Sequence, residues 1–332
     1  MAATIKDIAQ KTGLGLATIS SYLNGGSVRE KNRLKIEAAI AELDFAVNEM
    51  ARGLKTNRSK NIGVIIPELD NTFCARIISE VTDNLRTHGY ATMICDCRTD
   101  EKREADVIEF LLQRRVDGII IMPTEKTGKL LKQVLAAGKP VVVIDRRLEH
   151  IPCAQVLVDN QGAAYDAVLR FIQSGHKNIG MIGGPTDIYT AQERYKGYQK
   201  ALAKYKYSFD KKYFACGDYT ITGGARAMKE LLQNNADLDA VFVANYEMTV
   251  GAMIELNEQE IKIPEQLSLI GFDNLEFAKA SNPSLSVVIQ PLKEIAEEVS
   301  RILLSYLEHA GEQTCETVIL PTYLKEGRSI RK

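Results

Sequence analysis

From Asn61 onward, short apolar runs alternate with longer amphipathic stretches, and this alternation constrains the fold more than any other feature of the sequence. Short apolar runs bounded by turn residues are typical of strands buried on both faces. The stretches between them are long enough for crossover helices, so the order predicts parallel, doubly wound α/β sheets. The predicted strands are Ile62–Ile66, Ala91–Cys95, Gly118–Met122, Val141–Ile144, Val156–Val158, Ile179–Ile182, Ala240–Val243, Leu267–Ile270 and Val287–Ile289.

The segments between these apolar runs have apolar residues at the spacing of amphipathic helices. The predicted helices are Thr72–His88, Glu101–Arg114, Gly128–Ala137, Gly162–Ser174, Arg194–Tyr205, Gly223–Gln233, Tyr246–Glu258 and Leu292–Glu308. About nine strands are more than one sheet of this kind holds comfortably, so we expect two subdomains. Ligands of such sheets bind at the carboxyl ends of the strands, which predicts a site in the cleft between the subdomains.

The first 45 residues have an all-helical pattern instead. A short amphipathic helix begins at Thr4 and ends at Gly13, a second is predicted from Leu16 to Leu23, and a third from Glu30 to Leu43. Two short helices joined by a glycine turn and packed against a third form a helix-turn-helix arrangement. Residues 46–60 are polar and basic, which predicts a linker able to form only one or two helical turns.

The charge distribution indicates an anionic partner for the N-terminal segment. Residues 1–60 carry ten Lys or Arg against six Asp or Glu, whereas the remaining residues carry 32 against 37. We expect no membrane partner, because the sequence lacks an apolar run of about 18 residues. Its N-terminus lacks the pattern of a signal peptide, so we expect a cytoplasmic protein. The six cysteines lack metal-site spacing, and we expect neither a metal nor a cofactor.

A series of short motifs runs through the chain in a fixed order. In the N-terminal part the motifs are Thr4-Ile-Lys-Asp-Ile-Ala, Gly13-Leu, Ala17-Thr-Ile-Ser, Leu23-Asn24, Glu42-Leu43, Asn48, Ala51-Arg52 and Leu54. In the remainder they are Val158-Asp-Asn160, Gly175-His-Lys-Asn-Ile-Gly180, Glu193-Arg-Tyr-Lys-Gly-Tyr198, Val243-Ala-Asn245 and Ile270-Gly-Phe-Asp273. Each motif is weak alone, but the ordered set resembles the LacI/GalR family of bacterial transcription regulators.

The resemblance implies a periplasmic-binding-protein-like body and a sequence-specific DNA-binding transcriptional regulator, not an enzyme. It would repress carbohydrate-utilisation genes, with operator affinity controlled allosterically by a small sugar or sugar derivative. Its partners would be pseudo-palindromic operator DNA, that effector and a second copy of the chain, because a twofold operator requires a homodimer. The expected domains are a helix-turn-helix domain at 1–46, a hinge helix or linker at 47–60, and an effector-binding and dimerisation domain at 61–332. Within the last, we expect an N-subdomain of about 61–160 plus 291–320 and a C-subdomain of about 161–290.

The expected DNA contacts of the first domain lie on and around its second helix. By resemblance, Leu16, Ala17 and Ser21 face base edges in the major groove, while Thr18, Asn24 and the start of the third helix meet phosphates. The outward-facing Ser20 and the start of the first helix at Thr4 complete this set.

Three residues depart from the family pattern. Gly15 replaces the serine that usually begins the recognition helix, and Arg29 replaces the serine that usually caps the third helix. Ser21 replaces an arginine. Because a serine hydroxyl cannot make the bidentate contact of arginine with guanine, about 1–3 kcal/mol of base discrimination should be missing there. We therefore expect an operator that differs from the family consensus.

The linker resembles the hinge helix that members of this family form on operator DNA. Leu54 matches the leucine inserted into the minor groove at the central base step, and Arg52 and Lys55 would reach phosphates. Asn48 and Ala51 complete the expected hinge contacts. A passive tether is the alternative interpretation.

The resemblance places the effector contacts at strand ends that face the cleft. The expected partners of ligand hydroxyl groups are Asp145, Arg194, Asn245, Asp273 and Gln290. Asn71 and the aromatic residues Phe73 and Tyr219 are also expected there, with a purely structural role as an equal alternative. Tyr246 stands where an aspartate is common in the family, so it bears on which ligand is bound.

Other functions fit this sequence less well. An enzyme is disfavoured because the glycine-rich run 180–185 lacks GxGxxG spacing, no P-loop occurs, and the four histidines form no catalytic motif. A sugar-binding protein of the transport type is also disfavoured. It would need a secretion signal and no DNA-binding domain, and the sequence predicts the reverse. Within the family, the effector could instead be a nucleobase or nucleoside, or a phosphocarrier protein.

Overall fold

In the computed structural model, three N-terminal helices precede a larger α/β region, and residues 3–45, 58–124, 127–309 and 315–331 are described. By its internal contacts the chain divides into residues 1–59, which we call the head, and residues 60–332, which we call the body.

The helices of the head are α1 (Ile5–Thr12), α2 (Leu16–Leu23) and α3 (Glu30–Glu42). Each contributes one fully buried isoleucine to a small shared core, namely Ile8, Ile19 and Ile36. Gly13 ends α1 in the left-handed conformation, with φ of 67°. The predicted helix-turn-helix is therefore confirmed.

The body contains two six-stranded sheets, as far as the described residues show. The first sheet is built from β1 (Asn61–Ile66), β2 (Ala91–Asp96), β3 (Gly118–Ile121), β4 (Val141–Ile144), β5 (Ala154–Val158) and β11 (Thr317–Leu320). The second sheet is built from β6 (Ile179–Gly183), β7 (Phe214–Cys216), β8 (Ala240–Val243), β9 (Ser268–Phe272), β10 (Ser286–Ile289) and β12 (Tyr323–Lys325).

The strand order shows that both sheets are doubly wound. It is β11-β5-β4-β3-β1-β2 in the first sheet and β12-β10-β9-β8-β6-β7 in the second. Every pair is parallel except β10 with β12. The chain passes from one sheet to the other three times, after β5, after β10 and between β11 and β12.

Helices cover both sheets and bury their apolar residues. They are α4 (Thr72–Thr87), α5 (Glu101–Gln113), α6 (Gly128–Ala136), α7 (Asn160–Gln173), α8 (Tyr189–Lys204), α9 (Ile221–Asn234), α10 (Tyr246–Glu258), α11 (Leu275–Ala280) and α12 (Leu292–Glu308), with a 3₁₀ turn at Lys211–Tyr213. The first sheet has a separate apolar core on each face. No helix within the described ranges combines the length and apolar character needed to cross a membrane.

The nine predicted strands are all present, and the sequence reading missed β7, β11 and β12. All three are short strands at sheet edges, and β11 alternates exposed and half-buried residues instead of forming a continuous apolar run. Since β12 belongs to the second sheet, the predicted C-subdomain range of 161–290 is incomplete. Helix α8 begins at Tyr189, five residues before the predicted start at Arg194.

Two glycines let α9 and α10 pack closely. A Cβ atom on Gly251 would overlap the carbonyl oxygen of Ile221, and one on Gly224 would overlap the backbone of Met248. Both helices begin at the carboxyl end of the second sheet, so their close packing fixes the spacing of the residues at their N-termini.

Candidate functional site

A cavity of about 290 Å³ lies between the carboxyl ends of the two sheets. Its walls come from segments that follow strands of the first sheet and of the second sheet. All eight residues predicted from the sequence as effector contacts line this one cavity: Asn71, Phe73, Asp145, Arg194, Tyr219, Asn245, Asp273 and Gln290. The structure thus brings the set together, and a ligand role for each remains a prediction.

Arg194, on α8, is held rigidly in the wall of the cavity. It is only 4% exposed. Its Nε donates a hydrogen bond to Asn160 Oδ1 at 2.8 Å, and its Nη1 donates to the carbonyl oxygen of Ala244 at 2.5 Å. The guanidinium also stacks on the ring of Phe272, 3.8 Å from the ring centroid. These contacts fix the guanidinium before any ligand arrives.

Asp145 and Asp273 place two carboxylates near this guanidinium. Burial raises the pKa of Asp145, and the positive charges of Arg194 and Arg146 oppose that rise. Burial also raises the pKa of Asp273 to about 6, against the opposing effects of Arg194 and a hydrogen bond from Gln290, while the charge of Asp145 raises it further. The two acids are therefore costly to ionise at this position.

Three of the predicted contacts have a strained backbone. Asp145, Tyr219 and Asp273 have φ values of 65°, 65° and 59°. This left-handed region is uncommon for residues other than glycine, costs roughly 1 kcal/mol or more, and is concentrated at functional sites. In this protein all three residues lie within three positions after the end of a strand, and all three line the cavity.

Gln290 contributes an unused hydrogen-bond acceptor. Its Nε2 donates to Asp273 Oδ2 at 2.9 Å. Its Oε1 is buried and has no protein partner, although the residue is only 4% exposed. An unpaired buried amide oxygen costs about 1–3 kcal/mol, so the position is unfavourable unless another donor reaches it.

The two asparagines also have structural roles. Asn71 Oδ1 caps α4 by accepting from the backbone N–H of Cys74 at 3.0 Å, and Asn245 Oδ1 caps α10 by accepting from Met248 at 2.9 Å. Asn245 Nδ2 donates to Glu247 Oε2 at 2.6 Å. Each cap is sufficient to explain its asparagine, so a ligand contact would be an additional role.

The two aromatic residues of the wall come from different sheets, since Phe73 lies on α4 and Tyr219 follows β7. Tyr219 has its hydroxyl 3.3 Å from Thr190 Oγ1, and burial raises the pKa of its phenol. Phe73 also packs against the core of the first sheet. Both rings therefore combine packing with exposure to the cavity, which leaves the two interpretations of their role open.

Sequence reasoning missed several charged residues of the same wall. Glu68, Arg146 and Glu247 line the cavity, and each follows the end of a strand by no more than four residues. That position was the available signal, because polar residues at the ends of parallel strands face the ligand edge. Glu247 also accepts a hydrogen bond from the backbone N–H of Thr72 at 3.3 Å, which joins α10 of the second sheet to α4 of the first.

A second contact joins the same two parts of the body. Arg76 on α4 forms an ion pair with Glu276 on α11, with 2.8 Å between Nη2 and Oε2. Both side chains are largely exposed, so this pair contributes little stability. It marks, with the Glu247 contact, the places where the two sheets approach each other beside the cavity.

In the head, five of the predicted DNA contacts lie on α2. Leu16 and Ala17 form the exposed first turn of α2, where Leu16 is 47% exposed, and Gly15 precedes them without any side-chain cap. Thr18, Ser20 and Ser21 are half-buried further along. An exposed short side chain beside an exposed leucine is a surface that fits into a DNA groove.

Two of the predicted contacts in the head already have partners in the protein. Asn24 Nδ2 donates to the carbonyl oxygen of Ser20 at 2.7 Å and so satisfies the end of α2. The hydroxyl of Thr4 donates to Asp7 Oδ2 at 2.7 Å at the start of α1. The predicted hinge contacts lie outside the described residues: Asn48, Ala51, Arg52, Leu54 and Lys55.

Comparison with known proteins identifies the class that this fold and these sites define. Residues 4–48 match the family model described as bacterial regulatory proteins, lacI family. Residues 59–327 match the model of periplasmic binding proteins and the sugar-binding domain of the LacI family. The chain is 32% identical over 325 residues to the HTH-type transcriptional repressor CytR of Escherichia coli K12, which covers 96% of this chain and 95% of that protein.

Solved structures agree with this result. The transcriptional regulator CelR in complex with cellobiose is 27% identical with a TM-score of 0.75, covering 98% of this chain and 99% of that one. The lac repressor dimer bound to operator and the anti-inducer ONPF is 23% identical with a TM-score of 0.88, covering 99% of each chain, and it shows the shared fold.

The chain belongs to the lacI family of bacterial regulatory proteins. It is accordingly a DNA-binding transcriptional regulator with an effector-binding domain and not an enzyme, as the sequence motifs predicted. Members of this family bind operator DNA as dimers and respond to a small-molecule effector.

Proposed function

We propose that this protein represses transcription in the cytoplasm by binding a pseudo-palindromic operator as a homodimer, and that a small sugar in the cavity of the body changes its operator affinity. Residues 1–46 would bind the major groove, 47–60 would form the hinge, and 61–332 would bind effector and dimerise. The observation that carries the proposal is the convergence of Asp145, Arg194, Asn245, Asp273 and Gln290 on one small cavity.

The chemistry of this wall suits a polyhydroxyl ligand. Carboxylates and the unpaired Gln290 Oε1 accept hydrogen bonds, the remaining N–H groups of Arg194 donate them, and Phe73 and Tyr219 offer apolar faces for a ring. A volume of about 290 Å³ is at the lower end of ligand pockets, which suits a small effector. The similarity to CelR, solved with cellobiose, supports a carbohydrate over a nucleobase.

Effector binding would act through the contacts between the two sheets. A ligand held by Asp145 on the first sheet and by Asp273 on the second favours the conformation in which both are in reach. The neighbouring contacts of Glu247 with Thr72 and of Arg76 with Glu276 depend on the same approach. A coupling of roughly 1–3 kcal/mol between effector and operator is typical of such systems.

The effector proposal predicts that a free sugar stabilises the protein. In a thermal-shift screen of monosaccharides, disaccharides, nucleosides and purines, we expect a carbohydrate at 100 times its Kd to stabilise the protein by about 2.7 kcal/mol. The variant Gln290→Leu, which removes the unpaired acceptor, should respond more weakly to the same compound. Stabilisation by purines alone would show that the sugar assignment is wrong.

The DNA-binding proposal predicts that a negative charge on the first turn of α2 abolishes operator binding. Ala17→Glu is expected to weaken binding to a selected palindromic duplex about 100-fold, because a carboxylate beside phosphates and base edges is repelled. An acidic residue near a helix N-terminus does not destabilise the helix, so the head should remain folded.

The operator should be selected from a random palindromic library, and binding measured by fluorescence anisotropy at moderate ionic strength. Ala17→Gln has the same length without the charge and should lose much less affinity. Equal affinity of Ala17→Glu and the unmodified protein would place the DNA contact elsewhere.

A further inference from the structure

The effector cavity is surrounded by carboxylates. Two guanidinium groups, those of Arg146 and Arg194, supply its positive charge, and its described lining contains neither lysine nor histidine. Five acidic residues line the same space, so they outnumber the cations by three when all are ionised. These acidic residues follow five different strands of the two sheets: Glu68, Asp145, Asp218, Glu247 and Asp273.

The two arginines are already engaged by the protein. Arg194 donates to Asn160 and to the carbonyl oxygen of Ala244, and its charge acts on both Asp145 and Asp273. Arg146 donates from Nη1 to the carbonyl oxygen of Pro123 at 3.1 Å. Each guanidinium therefore directs part of its N–H groups to the protein itself.

The acids of the cavity already repel one another. Burial raises the pKa of Glu68 and the charges of Asp70 and Asp96 raise it further, while the charges of Arg98 and Arg146 oppose the rise. Burial likewise raises the pKa of Glu247, with Glu68 and Asp70 adding to the effect. An additional anion in this space would meet a negative potential from several walls at once.

Three helix N-termini at the cavity carry side-chain caps, whereas α8, which begins after Ile188, has none. At α4, α9 and α10, the first-turn N–H groups of Cys74, Gly223 and Met248 donate to the capping side chains of Asn71, Thr220 and Asn245. Groups that are already satisfied in this way are less available to an incoming anion.

We infer that the effector carries no negative charge: the cavity accepts an uncharged polyhydroxyl compound and rejects its phosphate ester or its acid. This inference rests on the effector site proposed above and adds the charge that the ligand must have. Hydroxyl groups donate to the carboxylates that would repel a phosphate, so the same residues that bind the free compound discriminate against the charged one.

The test compares each free compound with its phosphate ester by isothermal titration calorimetry at pH 7.5. Suitable pairs are glucose with glucose 6-phosphate, ribose with ribose 5-phosphate, cellobiose with a cellobiose phosphate, and a nucleoside with its 5′-monophosphate. We expect the best free ligand to bind at least about 100-fold more tightly than its ester, since unfavourable charge placement is an effective means of discrimination.

Two variants show whether the phosphate ester is excluded by charge repulsion or by lack of space. Glu68→Gln removes one carboxylate of the wall at constant size and should narrow the ratio between free compound and ester about tenfold. Glu258→Gln, at the exposed far end of α10, should leave the ratio unchanged. An unchanged ratio in Glu68→Gln would mean that the ester is excluded by shape, which contradicts the inference.

The outcomes distinguish failure of the charge inference from failure of the proposed effector site. An ester that binds as tightly as its parent sugar, and loses affinity in Arg194→Ala, overturns the charge inference and leaves the effector site standing. Binding of none of the free compounds or esters removes the sugar-binding proposal itself, and the inference with it.

Discussion

Replacing Asp273 with asparagine is expected to stabilise the unliganded protein at pH 7.5 and to weaken effector binding by about 10- to 100-fold. Burial raises the pKa of Asp273 to about 6, so the folded protein holds an ionised carboxylate there at a cost. Asparagine removes that charge, accepts the same hydrogen bond from Gln290, and tolerates the φ of 59° better than most residues.

The pH dependence of this effect has a definite sign. Because the folded-state pKa of Asp273 lies above its unfolded value of 3.8, the carboxyl is more easily protonated in the folded protein. Its unfavourable contribution is absent below about pH 4, grows between pH 4 and 6, and is complete above pH 6. Allowing for solvent reaching the cavity, we expect Asp273→Asn to gain about 1–2 kcal/mol above pH 6 and nothing near pH 4.

Urea unfolding of the unliganded protein between pH 4 and 8 measures the stability, and calorimetry measures the effector affinity. The affinity loss follows from a hydrogen bond to a charged acceptor, worth about 1.5–3 kcal/mol. Asp106→Asn, at an exposed position on α5, is the matched control and should change neither quantity. A variant with lower stability than the parent at pH 7.5 would show that ionised Asp273 stabilises the fold.

The second large effect is expected for Arg194→Ala, which should destabilise the body by about 3–5 kcal/mol at pH 7.5 and abolish effector binding. The substitution leaves Asp145 and Asp273 without their shared cation and leaves Asn160 and the carbonyl of Ala244 without a donor. Since both carboxyls then become easier to protonate, the loss of stability should shrink as the pH falls from 7.5 toward 5.

A double-mutant cycle tests whether electrostatic coupling between Arg194 and Asp273 causes this loss of stability. Removing Asp273 and Arg194 together should cost less than the sum of the separate effects, because one uncompensated charge is then gone. Arg86→Ala removes an exposed arginine that pairs with Asp83 on α4 and should cost less than about 1 kcal/mol. Strict additivity of Asp273→Asn and Arg194→Ala would contradict the electrostatic coupling.

Much of the fold followed from the sequence because its signals are local. Ile8, Ile19 and Ile36 each have an apolar neighbour three or four positions away on the same helix, which is the spacing of an amphipathic helix. The continuous apolar runs of β4 and β8 have the bounds that the sequence predicts. The edge strands β7, β11 and β12 did not follow, since their residues alternate between exposure and partial burial or span only three positions. Pairing of such segments is decided by the neighbouring strand and not by their own composition.

For the cavity, the sequence motifs predicted which residues meet but not the balance of charge around them. The eight predicted contacts meet there because family motifs mark strand ends, and parallel strands bring their ends to one edge. What the motifs could not give is the charge balance, which depends on Glu68, Arg146 and Glu247 in segments outside those motifs. Nor could they show that Asn71 and Asn245 also cap helices, because a capping hydrogen bond depends on the backbone geometry at the helix start.

The third passage of the chain between the sheets gives the short segment 317–325 a place in both sheets. Strand β11 completes one edge of the first sheet and β12 completes one edge of the second, only a few residues apart. Deletion of the segment from Thr317 to Lys325 would therefore remove a border strand from both sheets at once. Because this segment contributes to both sheets, neither sheet is formed by one uninterrupted stretch of the chain.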